Sequence, residues 1–215
     1  MFDWMLTLAE YPDVREHLRR AHVQIGRSFT VVELDALVVR LDEAAGHADV
    51  RAAAAREDCS PELHRVAASW LYDRAAIDGQ LAEAMYGLLG DPSFHPLYPE
   101  VPSTLSTIAQ AGIRIAVISD IHVDLRVHAR LSGIDHFVDR WILSFEHGVQ
   151  KPDPAIFRLG LDALGTEPEA TLMVGDRPSH DGAAAALGID SLILPSRDRS
   201  IEGSRLDGVL SLLLG

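Results

Sequence analysis

Three stretches of the chain hold the side chains best suited to chemistry. Ser119-Asp120 follows the apolar run Ile115 to Ile118; Lys151 lies in Gly148-Val149-Gln150-Lys151-Pro152-Asp153-Pro154; Asp176 and Asp181 lie in Gly175-Asp176-Arg177-Pro178-Ser179-His180-Asp181-Gly182. Carboxylates brought together need a cation, and hard oxygen ligands around an open position suit Mg²⁺. A hydroxyl at a strand end, beside the backbone N–H groups of a helix start, suits a phosphate oxygen. A lysine supplies a point charge that neutralises both a phosphate and a nucleophilic carboxylate. Among 19 basic residues Lys151 is the only lysine, which singles it out before any fold is considered.

The elements needed to bring these stretches together are legible in the second half. Short apolar runs at 114–119, 141–145, 171–175 and 191–195 read as strands of a parallel sheet covered on both faces. Helical patterns at about 124–132, 154–164 and 181–187 alternate with them, each stopped by a glycine (Gly133, Gly165, Gly188). A last helix at about 204–213 places Leu206, Val209, Leu210 and Leu213 on one side. This alternation predicts a doubly wound α/β sheet. In such a sheet the site lies beyond the carboxyl ends of the strands, which is where all three stretches fall.

The first half reads differently. Amphipathic patterns at about 12–24, 31–45, 48–57, 61–76 and 79–89 predict helices and no strand, with Ser60-Pro61 as an N-cap followed by proline at the first helical position. The Pro- and aromatic-rich stretch 90–102 reads as a hinge back into the sheet. The expected division is an α/β core of residues 1–11 and 96–215, with an all-helical insertion of residues 12–95.

Composition bounds the rest. A chain of 215 residues with 47% hydrophobic content suits one core with a modest insertion. No run approaches the roughly 18 apolar residues of a membrane span, and the first residues lack the basic region of a secretory signal. Cys59 is the only cysteine, so no internal disulfide forms, and a reducing cytoplasm is the expected setting. A net charge of −13 argues against nucleic acid as a partner. The ten histidines are scattered and read mostly as surface or structural; Trp4, Trp70 and Trp141 read as core; Arg19 and Arg20 read as a solvated helix face.

The chain resembles the haloacid-dehalogenase-like superfamily over nearly its whole length. Ala116-Val117-Ile118-Ser119-Asp120 is similar to that family's second motif, Gly148 through Phe157 to its third, and Val174-Gly175-Asp176 through Asp181 to its fourth. The helical insertion matches the family's cap. The first motif finds its only match in Phe2-Asp3-Trp4-Met5-Leu6-Thr7-Leu8. The resemblance implies Asp3 as nucleophile with Lys151 beside it. Thr7, Ser119, Asp120 and Lys151 would hold phosphate. Mg²⁺ would sit on Asp3, the backbone carbonyl of Met5 and Asp176, with Asp181 in support. The implied activity is hydrolysis of a small phosphate ester through an aspartyl-phosphate.

Three departures accompany the resemblance. Met5 stands where phosphatases of the family keep an acid/base Asp. Leu6 replaces a glycine and fits only if its φ stays negative. Only Met1 and Phe2 precede Asp3, so the central strand is either a stub with a weakened sheet centre or continues from an upstream start. Met5 and Leu6 favour the alternative of a weak or inactive relative that binds a phosphorylated ligand or a protein partner. A metal-free 2-haloacid dehalogenase is opposed by Asp176 with Asp181, and a phosphonatase by the lack of any lysine in the helical insertion.

Overall fold

The structure, a computed structural model, describes residues 1–194 and 204–215; Pro195, the last residue of the fourth predicted strand, lies outside them. Among the described residues four strands form: β1 (Ala116–Ser119), β2 (Arg140–Leu143), β3 (Leu172–Gly175) and β4 (Asp190–Ile193). β1 pairs with β2 and β3 with β4, both in parallel. Phe2 joins the halves by bridging Val117 on one side and Val174 on the other. Its N–H donates to Ala116 O and its carbonyl accepts from Ile118 N, both at 2.8 Å; on the other side Asp3 N donates to Val174 O at 2.8 Å. The sheet therefore runs β2, β1, residues 1–3, β3, β4. In this sequence residues 1–3 occupy the centre and deliver Asp3 to the carboxyl edge.

Pleating sends alternate side chains to opposite faces, and each face has its own core. Phe2, Val117 and Val174 pack on one side with Leu105, Ile108 and Val209. Met1, Ala116, Ile118 and Met173 pack on the other with Ile156, Phe157 and Leu161.

The helical part contains α1 (Val14–Gln24), α2 (Val31–Ala45), α3 (Ala48–Ala54), α4 (Pro61–Arg74) and α5 (Gly79–Leu89). Of its starts, the one at Ser60-Pro61 is as expected from the sequence. Thr30 and Glu33 make a capping box, and Ser60 Oγ accepts from Leu63 N ahead of Pro61. These helices enclose a separate apolar cluster that includes Leu18, Leu34, Leu41, Leu81, Met85 and Phe94. One antiparallel bridge, Ala9 with Leu97, draws together the segments that lead into and out of this block: Tyr98 N donates to Leu8 O at 3.0 Å, and Glu10 N to Pro96 O at 2.8 Å.

The remaining helices are α6 (Val101–Gln110), α7 (Leu125–Leu131), α8 (Ser144–His147), α9 (Pro154–Leu164) and α10 (Asp207–Leu214). Some expectations need correction. α6 falls partly in the predicted hinge and was not anticipated, although Pro102 near its start is a helix-opening signal. The helix expected to run to 57 stops at Ala54, and Glu57–Cys59 forms a separate 3₁₀ turn. The segment Asp181–Leu187 is 3₁₀ rather than α. Trp4 is in the core, but Trp70 is 47% exposed. Of the histidines, read as surface or structural, His17, His22, His95, His122 and His128 are among the buried ones. Leu6 has φ 58°, in the left-handed region, so the expectation of a negative φ fails. The tight loop that turns the chain back after Asp3, closed by Leu6 N donating to Ala9 O at 2.7 Å, dictates that conformation. No helix among the described residues is long and apolar enough to cross a membrane.

Candidate active site

Each strand end contributes one part of the site. The central segment ends at Asp3, β1 ends at Ser119 and hands on Asp120, and β3 ends at Gly175 and hands on Asp176. Lys151 arrives from the loop between α8 and α9, and Asp181 from the start of the 3₁₀ segment after β3.

Lys151 is fully buried, and its ammonium donates to Asp3 Oδ1 at 2.6 Å and Asp181 Oδ1 at 2.5 Å. Asp181 is also fully buried; its Oδ2 accepts from the backbone N–H of Asp176 at 3.1 Å and of Arg177 at 2.9 Å. Gly175 is required beside it: a Cβ there would lie 2.2 Å from Asp181 Cγ. Asp120 turns both oxygens toward protein. One accepts from Lys151 N at 2.8 Å, and the other from Arg177 Nη2 at 3.0 Å. The hydroxyls of Thr7 and Ser119 are buried and meet no hydrogen-bonding partner within the protein.

The electrostatics follow from burial. Desolvation pushes the Asp3 carboxyl up to about 7, Asp181 adds repulsion, and Lys151 opposes both. Burial also works to lower Lys151, but Asp3, Asp120 and Asp181 outweigh it and hold the ammonium above the usual lysine range. Asp176 is raised by burial and by Asp181. Asp3, Asp120, Asp176 and Asp181 are thus four carboxylates served by two cations, Lys151 and Arg177. The deficit matches one divalent cation, and Asp3, Asp176 and Asp181 each offer an oxygen within 4.8 Å of the others. Oxygen donors of this kind fit Mg²⁺.

A cavity of about 260 Å³ opens over the cluster, lined by Asp3, Asp120, Asp176 and Arg177 from the sheet side and by Met5 and Leu6 from the loop. Asp58, His64 and His122 also line it. The sequence pointed to none of those three, nor to Arg177 as the partner of Asp120. Arg177 had a signal, since it sits inside the 175–182 stretch. Asp58 had none, since it falls in the short gap between the helices expected at 48–57 and 61–76.

The fold is an open parallel α/β sheet with a buried carboxylate–lysine cluster at its carboxyl edge. The family model that matches residues 4–188 is described as haloacid dehalogenase-like hydrolase, and the chain belongs to that family. It is 35% identical over 109 residues to the phosphoserine phosphatase of Thermus thermophilus, covering 50% of this chain and 43% of that protein. It is 38% identical over 85 residues to the glyceraldehyde 3-phosphate phosphatase of Methanopyrus kandleri, covering 39% of this chain and 36% of that one. The chain thus matches less than half the length of these two curated relatives. A solved dehalogenase structure superposes with a TM-score of 0.69 at 18% identity, covering 100% of this chain and 96% of that chain, a likeness of fold.

Proposed function

We propose that this protein hydrolyses small phosphate esters with Mg²⁺, through an aspartyl-phosphate formed on Asp3. The observation that carries the reading is the buried Lys151 ammonium bridging Asp3 and Asp181 at the carboxyl edge of the sheet. It holds the Asp3 carboxylate in place and offers positive charge to an incoming phosphoryl group. The two partnerless hydroxyls, Thr7 and Ser119, support the same reading, since buried hydroxyls are normally satisfied and a phosphate oxygen would satisfy them. Asp120 has both oxygens engaged, so its contribution to phosphate is its backbone N–H. Asp3, Asp176 and the Met5 carbonyl would hold the metal, with Asp181 fixing Lys151 and the 176–177 backbone. Bound there, Mg²⁺ supplies charge neutralisation between the nucleophile and the phosphoryl oxygens. Asp3 then attacks phosphorus, the ester oxygen leaves, and water hydrolyses the acyl phosphate. Residues 12–95 act as a cap domain that covers the site and selects the substrate.

Met5 favours a second reading, a relative that binds a phosphorylated ligand without turning it over. Phosphate release from a panel of small esters, with and without Mg²⁺, separates the two. Mg²⁺-dependent release that disappears in Asp3→Asn supports the enzyme. Ligand binding with no release above the Asp3→Asn background supports the binder.

A further inference from the structure

Expelling an alcohol from a phosphate ester leaves an alkoxide that needs a proton, and a thioether at position 5 cannot give one. The cavity over Asp3 offers few alternatives. Asp120 is held by Arg177 and the Lys151 backbone, and Asp3 and Asp181 are held by the Lys151 ammonium. Asp58 differs from all of these. It lines the same cavity from the side of the helical block, and its nearest cationic candidate is His122, whose Nδ1 lies 3.9 Å away, beyond hydrogen-bonding distance.

We propose that Asp58 is the general acid and base of this site, serving phosphate monoesters of aliphatic alcohols. The inference rests on the phosphatase reading above.

The position of Asp58 is fixed by the sheet domain, although the residue belongs to the helical block. Its N–H donates to Gln150 Oε1 at 3.1 Å, and its carbonyl accepts from Ser144 Oγ at 2.6 Å. Gln150 adjoins Lys151, and Ser144 follows β2, so the turn is pinned by the loops that build the site. The surroundings keep a proton on the carboxyl. Burial pushes Asp58 up to about 7, Glu57 and Asp120 add repulsion, and Arg177 and Lys151 oppose it. The histidines facing it do not supply the missing charge. His64 and His122 stack with centroids 3.4 Å apart and an interplanar angle of 12°. Burial drives His64 down to about 3 and His122 down to about 4, so both rings are neutral near pH 7. Glu57 is also raised by burial, but of the site's charges only Arg177 reaches it, whereas Asp58 feels Lys151, Asp120 and Arg177.

The steps balance. As Asp3 Oδ bonds to phosphorus and the P–O bond to the alcohol breaks, the Asp58 proton passes to the leaving oxygen, giving the alcohol and an Asp58 carboxylate. Water then attacks the aspartyl-phosphate and yields its proton to Asp58. The P–Oδ bond breaks, inorganic phosphate departs, and both Asp3 and Asp58 return to their starting states.

The test compares wild type, Asp3→Asn, Asp58→Asn and Asp58→Asn/Met5→Asp on p-nitrophenyl phosphate and on an aliphatic phosphate monoester, with Mg²⁺ present and folding checked by circular dichroism. A nitrophenolate leaves without help; an alkoxide does not. General acid–base help is worth about 10²–10⁴-fold. Asp58→Asn is expected to lose at least tenfold more kcat on the aliphatic ester than on the aryl ester, and the added Met5→Asp carboxyl to recover part of that difference. Equal losses on both esters, or none, would overturn the role of Asp58 while leaving the phosphatase intact. Failure of wild type to turn over either ester with dependence on Asp3 would overturn the phosphatase reading and this inference with it.

Discussion

Leu6 sits at φ 58° with 38% of its surface exposed, so it carries backbone strain and recovers little by burial. A left-handed conformation costs a non-glycine residue roughly 1–2 kcal/mol, while glycine gives back about 0.5–1 kcal/mol in unfolded-state entropy. Leu6→Gly is therefore expected to stabilise the protein by about 0.5–1 kcal/mol, raising Tm by roughly 2–4 °C per kcal/mol in a chain of this size. Calorimetry that shows a lower Tm would mean that Leu6 packs against something that outweighs the strain. Asp58 has a different signature. An unfolded aspartate titrates near ~3.9, and the folded one near about 7. Between those values the folded state holds a proton that the unfolded state has lost, so stability falls as pH rises from about 4 to 7 and levels off above. That loss is on the order of 2 kcal/mol once partial solvent exposure is discounted. Urea unfolding at several pH values should show it in wild type and find the slope reduced in Asp58→Asn.

At the scale of elements, the sequence was most informative where local chemistry and tertiary demand agree. The pattern at about 154–164 and the observed α9, Pro154–Leu164, coincide because Asp153 caps the helix, Pro154 opens it and Gly165 closes it at φ 59°. Ser119 and the 176–181 loop are legible for a related reason, since each follows a short apolar run that reads as a buried strand, whereas Lys151 stands out as the only lysine in the chain. The 57–59 turn was illegible because what holds it is Gln150 and Ser144, about ninety residues away in sequence. The positive φ of Leu6 is not legible in the sequence, because it comes from the tight return of the loop after Asp3 rather than from the residue's own preference. Gly175 links the two kinds of information. It ends β3 as a strand residue and also vacates the space that Asp181 needs. Gly175→Ala forces Asp181 away from Lys151 and from the 176–177 amides. Overpacking of this kind costs about 1–3 kcal/mol, and thermal unfolding should report it. Phosphate release should fall further than stability predicts, because Lys151 loses one of its two anchors. Full activity in a destabilised Gly175→Ala protein would show that Asp181 is dispensable for holding Lys151.

The molecule as a whole sets a condition on any anionic substrate. Its net charge is −13, and the site does not reverse that sign locally, because Lys151 is matched by two carboxylates and Arg177 by Asp120. A phosphate ester dianion thus approaches a repulsive surface, and with the metal bound the cluster becomes close to neutral rather than attractive. Steering of the kind that accelerates association needs a patch of opposite charge, and the described residues around the cavity do not form one. Salt shortens the Debye length from about 20 Å near 20 mM to about 7 Å near 200 mM, which removes much of the repulsion between exposed charges. At saturating Mg²⁺, kcat/KM for a phosphate monoester is expected to rise about two- to fivefold over that range, with kcat nearly constant, since the bound complex is screened by the protein itself. A fall in kcat/KM over the same range would locate a positive funnel in the helical block. Arg177 would then be acting on the free substrate rather than being spent on Asp120.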